Sequence, residues 1–495
     1  MRTNELATYP VAKDANEWLR LRKDCTIFTE WGYTTLRDGL GSFVGTVLRE
    51  PHYICKDHRN LFSNFYSKKT CPGSSVCERL HFFTDRDVTG AEFSLNPERF
   101  LNGYMGYSVV RPVAERSVGR TVIDPYLVGR KYSDGFYSLR TSFRTHINGR
   151  LVTVRGYPYL SQDTDATVCA HATLWGVCRY LSERHSSYAE LLPYDLVRLT
   201  APTVGRVVPY RGMTYTDYSK ILSDFGCHPV IFPTKAKTED TALKPEAFRD
   251  LYSYVESGLP VLASFSGHVI ALIGHTLDYT RTPTPDADGM VDSSDFLKQF
   301  IVVDDNFFPY QLLGYQSDAD NYGARYKRNG AAFDINSLLT GVCPLPEKVY
   351  LPAPKARKLT RKTLLHMIEV FGREAFGKPD EPLVCRLFVT TGSSLKKRKL
   401  ETATKDMAAY DPISAFVASL ALSHFVWVLE IGPLSLYQQG RCAAEIVLDA
   451  TANELDKHAL VYARLGATLI LDDNASVTPN APVTFQQFTH NLGEA

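Results

Sequence analysis

The sequence lacks several features that would point directly to a class of protein. Its 55 Lys and Arg residues are balanced by 54 Asp and Glu residues, for a formal net charge of +1. It therefore has no basic excess of the kind that dedicated nucleic-acid binders use to release counterions. It contains no internal repeat or low-complexity tract, which excludes a solenoid. The motifs of phosphate-binding loops, serine-hydrolase elbows and zincin metal sites are also absent.

Long apolar runs are scarce as well. Residues 1–6 carry charge and are not followed by the apolar segment of about 7 to 15 residues that a secretory signal needs, so we expect a cytoplasmic protein with reduced thiols. The longest uncharged stretch, residues 412–429, is interrupted by serine and histidine, and we expect no membrane partner. We predict instead that Asp411 caps a short helix and that Phe425–Leu429 forms a buried strand.

The 495 residues, 44% of them hydrophobic, suggest about three domains at roughly 150 residues each. Residues 1–155 are rich in aromatic residues and short alternating runs, which predicts a β-rich N-terminal domain after an opening helix near residues 14–24. Residues 156–345 alternate helical and strand patterns, and the proline-rich stretch 344–355 is typical of a linker or a crossing loop. Residues 346–495 are expected to form a small α+β C-terminal domain. Its predicted elements are a helix at 359–376 and strands at 384–388, 425–431 and 443–448.

The middle segment contains the residues that carry chemical information. In residues 165–181, Thr167 is a good N-cap and apolar residues recur at helical spacing, which predicts an amphipathic helix with Cys169 in its first turn. The positive end of the helix dipole and the unpaired N–H groups there favour a thiolate. Cys178 lies within the apolar stripe and is predicted to belong to the core. His171 is expected to be structural or to line a cleft.

A histidine and a group of polar residues follow about a hundred residues later. We predict a helix at 245–256, a strand at 261–265, a central strand at 266–275 and a third strand at 300–303. His268 lies near the beginning of the central strand, directly after Gly267. The third strand leads straight into Asp304, Asp305 and Asn306.

This order of Cys, Gly-His and Val-Asp resembles the papain-like cysteine peptidases, in particular the branch that removes double-glycine leaders from bacteriocins, and its bacterial relatives. The resemblance covers residues 155–315. It implies a papain-like catalytic domain without a cofactor, acting on a polypeptide substrate. Cys169 would be the nucleophile, His268 the base and Asp304 the residue that orients the imidazole.

The oxyanion-hole residue departs from this pattern, and the residue that orients the histidine stays open. The family has a glutamine six residues before the cysteine as an oxyanion-hole donor, whereas this chain has Asp163 there and Gln162 one residue earlier. A one-residue insertion could preserve the role of Gln162, because donors need only converge on one oxygen. Side chains alternate across a strand, so only one of Asp304 and Asp305 can face His268. Asp304 is preferred because it directly ends the apolar run, and Asn306 is a third candidate.

The same triad would also serve an acyl transferase, a transglutaminase or a deamidase, and a papain-like scaffold could be catalytically inactive and only bind. A zinc site is a further alternative. Its ligands would come from Cys55, His58, Cys71, Cys77 and His81, although their spacing fits no known finger.

The remaining features give weaker expectations. His275 lies on the opposite face of its strand from His268 and is predicted to be a packed histidine. The basic runs 355–358 and 396–399 are too short to indicate nucleic acid and are expected to be solvated. Residues 316–330 are a candidate lid. The sequence does not predict the oligomeric state.

Overall fold

The structure is a computed structural model, and it contains both helices and sheets along the chain, which confirms the α+β class. The residues that it describes are 5–128, 135–199, 212–237, 240, 242–325, 327–328, 331–404, 410–453, 459–471, 474–477, 483–488 and 491.

The N-terminal part is built around an antiparallel sheet of seven strands in the order β1-β2-β3-β4-β5-β8-β7. Its helices are α1 (Asn16–Asp24), α2 (Glu30–Leu40), α3 (Lys56–Asn64), α4 (Gly90–Leu95) and α5 (Pro125–Val128). Its strands are β1 (Ala7–Tyr9), β2 (Thr46–Tyr53), β3 (Cys77–Phe83), β4 (Tyr104–Val110), β5 (Val118–Ile123), β6 (Phe136–Ser138), β7 (Thr141–Ile147) and β8 (Arg150–Tyr159).

The middle part has a second antiparallel sheet in the order β14-β13-β11-β10-β17-β9, and β6 pairs with its strand β11. Its helices are α6 (Cys169–Arg184), α7 (Pro193–Leu199), α8 (Tyr215–Asp224) and α9 (Pro245–Glu256). Its strands are β9 (Cys227–Pro233), β10 (Val261–Phe265), β11 (His268–Leu277), β12 (Met290–Asp292), β13 (Leu297–Val303), β14 (Gln311–Leu313), β15 (Lys327–Arg328), β16 (Ala331–Ala332) and β17 (Thr340–Pro346). Every residue of β11 is buried, as expected of a central strand whose two faces are both apolar.

The C-terminal part has a third sheet in the order β12-β18-β19-β21-β22-β23-β24, in which only the β12-β18 pair is parallel among the described strands. Its helices are α10 (Ala353–Phe371), α11 (Gly392–Thr404), α12 (Pro412–Ser419) and α13 (Leu434–Tyr437). Its strands are β18 (Leu383–Thr391), β19 (Phe425–Pro433), β20 (Arg441–Cys442), β21 (Ala444–Asp449), β22 (Leu460–Leu465), β23 (Thr468–Leu471), β24 (Asn474–Val477) and β25 (Phe485–Gln486).

The three parts share strands and one hydrophobic core. Strand β6 from the N-terminal part joins the middle sheet, and β12 from the middle part joins the C-terminal sheet. The largest cluster of buried apolar residues includes Tyr9, Trp175 and Trp427, one from each part. Burial of apolar side chains therefore continues across the three segments that composition and residue pattern separate in the sequence.

Several expected elements are confirmed, and others differ. Asp411 caps α12 by accepting hydrogen bonds from the main-chain N–H groups of Ile413 and Ser414, and β19 follows as predicted. The linker or crossing loop expected at residues 344–355 is shorter than predicted, because β17 continues to Pro346 and α10 already begins at Ala353. The proline at position 352 precedes the first helical turn, where the lack of an N–H costs nothing.

The two basic runs are not simply solvated loops, since each lies on a helix and supplies ion pairs. In α10, Arg357 donates hydrogen bonds to Asp250 at 2.6 Å and to Ser253 at 2.9 Å. In α11, the buried Lys399 lies 2.6 Å from both carboxylate oxygens of Glu445. No helix in the described part of the chain is long and apolar enough to span a bilayer.

Candidate active site

Helix α6 begins at Cys169, with Val168 in an extended conformation just before it. The prediction that Thr167 is the N-cap is wrong, because its hydroxyl instead accepts the main-chain N–H of Asp163 at 3.1 Å. His171 takes over part of the capping, since its Nδ1 accepts the N–H of Val168 at 3.2 Å. Burial lowers the pKa of His171 to about 4, so the ring is neutral and Nδ1 can accept. His171 is thus structural, one of the two roles expected.

The loop before α6 is folded around the buried Asp163. Its Oδ1 accepts hydrogen bonds from the main-chain N–H groups of Ala166 and Thr167, both at 2.8 Å. The carboxylate therefore organises the turn that delivers Cys169 to the helix start. Gln162, the predicted oxyanion-hole donor, is half-buried at the beginning of this loop.

His268 is positioned by a tight hairpin between β10 and β11. Phe265 pairs with His268, so Ser266 and Gly267 alone form the turn, and Gly267 has a φ of 72°, which glycine adopts without strain. Thr173 of α6 donates a hydrogen bond to the carbonyl of Val269 at 3.2 Å and ties the helix to the start of β11. The thiol of Cys169, at the start of the same helix, interacts with the His268 imidazole and helps to raise its pKa.

The register of β11 and β13 decides which acidic residue faces His268. Ala271 pairs with Val303, so one more step along each strand places Ile270 opposite Asp304. His268 lies two residues from Ile270 on the same face, and the diagonal neighbour on that face is Asp304. The Nε2 atom of His268 lies 3.0 Å from Oδ1 of Asp304.

Charge pairing controls protonation at this pair. Burial alone would lower the pKa of His268, but the charge and hydrogen bond of Asp304, with smaller contributions from Cys169 and Asp305, raise it well above its usual value. Burial would raise the pKa of Asp304, but its interactions with His268 and Asn306 hold it below the usual range. The arrangement therefore favours an imidazolium next to a carboxylate.

Asp304 is held by further donors. Its Oδ1 accepts the main-chain N–H of Asn306 at 2.9 Å and the Asn306 amide Nδ2 at 3.0 Å, and its Oδ2 accepts the hydroxyl of Tyr322 at 3.2 Å. The Asn306 amide nitrogen is 3.4 Å from His268 Nε2, a longer contact than that of Asp304. Asn306 therefore supports the acid more than it orients the histidine.

Asp305 is fully buried and does not form the His268 hydrogen bond. Its carboxylate faces Arg116, whose Nη1 lies 3.9 Å from Oδ2. Burial and the adjacent Asp304 raise the pKa of Asp305 to about 6, against weaker opposing effects of His268 and Arg116. The geometry thus pairs Asp304, and not Asp305, with His268.

Sequence reasoning missed three residues around the site. Tyr322 lies in the candidate lid, whose residues 326 and 329–330 are outside the described residues, yet its fully buried side chain supports Asp304 from behind. Phe333 stacks on His268 with ring centroids 6.3 Å apart. Arg116 comes from the N-terminal part. No sequence motif marks these three residues, because their roles depend on contacts between segments that are distant in sequence.

The candidate zinc ligands do not converge. His58 Nε2 bonds the carbonyl of Ser74 at 2.9 Å, and His81 lies between Tyr104 at 2.9 Å and Glu50 at 3.1 Å. Among the described residues, the side chains of this type that do cluster within 4.8 Å are His268, Asp304 and Asp305. A divalent cation there would compete with the proton shared by His268 and Asp304.

The described geometry joins a thiol at a helix start, an imidazole and an orienting carboxylate, which is the arrangement that nucleophilic acyl transfer requires. The ten cysteines, all within the described residues, are free thiols. No family model, curated protein or solved structure matches this chain.

Proposed function

We propose that this protein is a cysteine peptidase whose middle part is organised as a papain-like catalytic domain. The observation that carries the proposal is the convergence of Cys169, His268 and Asp304 from a helix start, a hairpin and a strand end. Helix α6 packed on an antiparallel sheet that supplies both the base and the acid supports the papain-like organisation.

In the proposed reaction the Cys169 thiolate attacks the carbonyl carbon of a peptide bond and forms a C–S bond. The resulting oxyanion accepts the main-chain N–H of Cys169, which belongs to the first turn of α6 and has no intrahelical partner, together with the Gln162 amide. When the C–N bond breaks, the His268 imidazolium gives its proton to the departing amine. Asp304 keeps the ring oriented throughout.

Deacylation reverses the roles. Neutral His268 takes a proton from water, and the hydroxide attacks the thioester carbonyl. The C–S bond breaks, the carboxylic acid product leaves, and the released Cys169 thiolate beside the protonated His268 restores the starting thiolate–imidazolium pair. An amine instead of water as the acceptor would give acyl transfer, and release of ammonia from glutamine in the first step would give deamidation.

Thiol reactivity tests the proposal without knowledge of the substrate. Cys71 is exposed and Cys169 is only partly exposed, so accessibility alone would make Cys71 react faster. Activation by His268 reverses this order, and we expect iodoacetamide at pH 6 to modify Cys169 at least about tenfold faster than Cys71. Peptide mapping by mass spectrometry measures both rates in one sample, and faster modification of Cys71 would contradict the proposal.

Hydrolysis tests the reaction itself. The full chain is incubated with fluorescently labelled, unfolded casein, and Cys169→Ala is compared with Cys71→Ala. We expect the first variant to lose cleavage and the second to retain it. Cleavage by Cys169→Ala would refute the mechanism, and intact casein that gains amine adducts or loses ammonia would replace hydrolysis by acyl transfer or deamidation.

A further inference from the structure

The loop between β4 and β5 reaches from the N-terminal part into the candidate active site through Arg116. Its Nη1 donates a hydrogen bond to Oδ1 of Asn306 at 2.6 Å and to the carbonyl of Asp305 at 3.3 Å. The same atom lies 3.9 Å from the Asp305 carboxylate. Arg116 therefore contacts both residues that directly follow Asp304.

Contacts on two sides hold Arg116 and its loop in place. Its guanidinium lies over the ring of Trp31 in α2, 5.1 Å from the centroid. The beginning of α2 is bonded to the same loop, because the hydroxyls of Thr29 and Ser117 are 3.0 Å apart. On the other side, the carbonyl of Arg116 accepts the hydroxyl of Ser161 at 3.2 Å, and Ser161 directly precedes Gln162. The loop thus contacts both chain segments that flank the site.

Arg116 also determines which way the Asn306 amide faces. A guanidinium can only donate hydrogen bonds, so it selects the amide oxygen of Asn306. The amide nitrogen then points at Asp304 and donates to its Oδ1 at 3.0 Å. A flipped amide would place N–H groups against the guanidinium and its oxygen against a carboxylate, two repulsive contacts at once.

We propose that Arg116 is a positioning residue of the active site, through which the N-terminal part fixes the Asn306 amide and thereby Asp304 against His268. This inference rests on the proposed function. It assigns the N-terminal part a role in the reaction, since a middle part without Arg116 would keep the triad residues but not the contact that orients the acid.

The test compares Arg116→Met with a control arginine in similar surroundings. Arg140 is also partly buried, lies over the Tyr126 ring at 4.3 Å and is 4.0 Å from an aspartate, Asp124. In the full-length protein we expect Arg116→Met to slow iodoacetamide modification of Cys169 about tenfold at pH 7, because one charge-assisted hydrogen bond in the chain to His268 is lost. Arg140→Met should leave the rate within about twofold of wild type. Arg116→Met is also expected to lower kcat for casein cleavage more than it raises KM.

The milder Arg116→Lys variant keeps the proposal testable if the methionine variant does not fold. It retains the charge but lacks the rigid fork, so we expect an intermediate loss in the wild-type background and none in an Asn306→Leu background. A folded Arg116→Met protein with the wild-type rate would overturn the proposal, as would an equal loss in Arg140→Met or a loss in Arg116→Lys that is the same in both backgrounds. Failure of the proposed function is recognised separately, because His268→Ala would then also leave Cys169 reactivity unchanged.

Discussion

Strand β11 carries two buried histidines, and each is paired with a carboxylate. His268 bonds Asp304 at 3.0 Å and His275 bonds Glu256 at 2.5 Å. The surroundings differ. Arg386 lies 2.6 Å from Glu256, and strands β6 and β13 both pair with β11 at His275.

At His268, by contrast, β13 has already ended, and the pairing on β11 continues only with β10. The space beside the strand is occupied by the start of α6, which brings a thiol. A buried histidine and carboxylate therefore do not define a site on their own. The third partner and the end of the strand distinguish the pair that we propose to be reactive from the pair at His275.

The largest difference is expected from removal of each imidazole. His268→Ala should reduce casein cleavage by at least about 100-fold at temperatures well below its thermal unfolding midpoint, because the proposed general base is lost while the chain is still folded. His275→Ala should instead lower that midpoint by several degrees, since a fully buried hydrogen bond is lost and a cavity is left. If both variants lose activity in proportion to stability, the distinction between the two pairs is wrong.

Replacing each carboxylate by its neutral amide compares the two histidine pairs through the pH dependence of cleavage. Because Asp304 raises the pKa of His268, Asp304→Asn should let the imidazolium lose its proton at lower pH. The alkaline limb of the pH profile of cleavage then moves to lower pH, with a fall in kcat of about tenfold or more. In the matched variant Glu256→Gln, the profile should keep its position. A shift in both variants would show that the effect is not specific to the triad.

The smallest expected effect is a change in stability when Asp305, the residue that follows Asp304, is replaced. Burial and the neighbouring Asp304 raise the pKa of Asp305 from 3.8 to about 6, so the folded protein holds this proton more tightly than the unfolded chain does. Stability therefore falls as the pH rises from 3.8 to about 6, and the full cost applies at higher pH. Asp305→Asn should raise the unfolding midpoint by a few degrees at pH 7.5 and leave it unchanged at pH 3.5. An equal shift at both pH values would contradict this assignment of charge.

Much of the candidate site could be predicted from local patterns, because local physics determines it. The strand β10 and the helix α9 have the predicted bounds, since apolar periodicity and flanking proline and glycine residues define both ends. The predicted N-cap at Thr167 was wrong because the Asp163 carboxylate folds the loop before Cys169 by accepting main-chain N–H groups, and the main-chain N–H of Asp163 donates to the Thr167 hydroxyl. Such competition between nearby acceptors has no sequence pattern.

Sequence and tertiary structure thus determined different properties of this protein. The sequence by itself determined a thiol at a helix start, a histidine after a tight turn and an acid at the end of a buried strand, because these depend on neighbours a few residues away. Only the tertiary structure decided between Asp304 and Asp305, through the register of β11 and β13. It also brought Tyr322 to Asp304 and Arg116 to Asn306, and it placed β6 and β12 in the sheet of the following part, because such contacts depend on the packing of segments far apart in the chain.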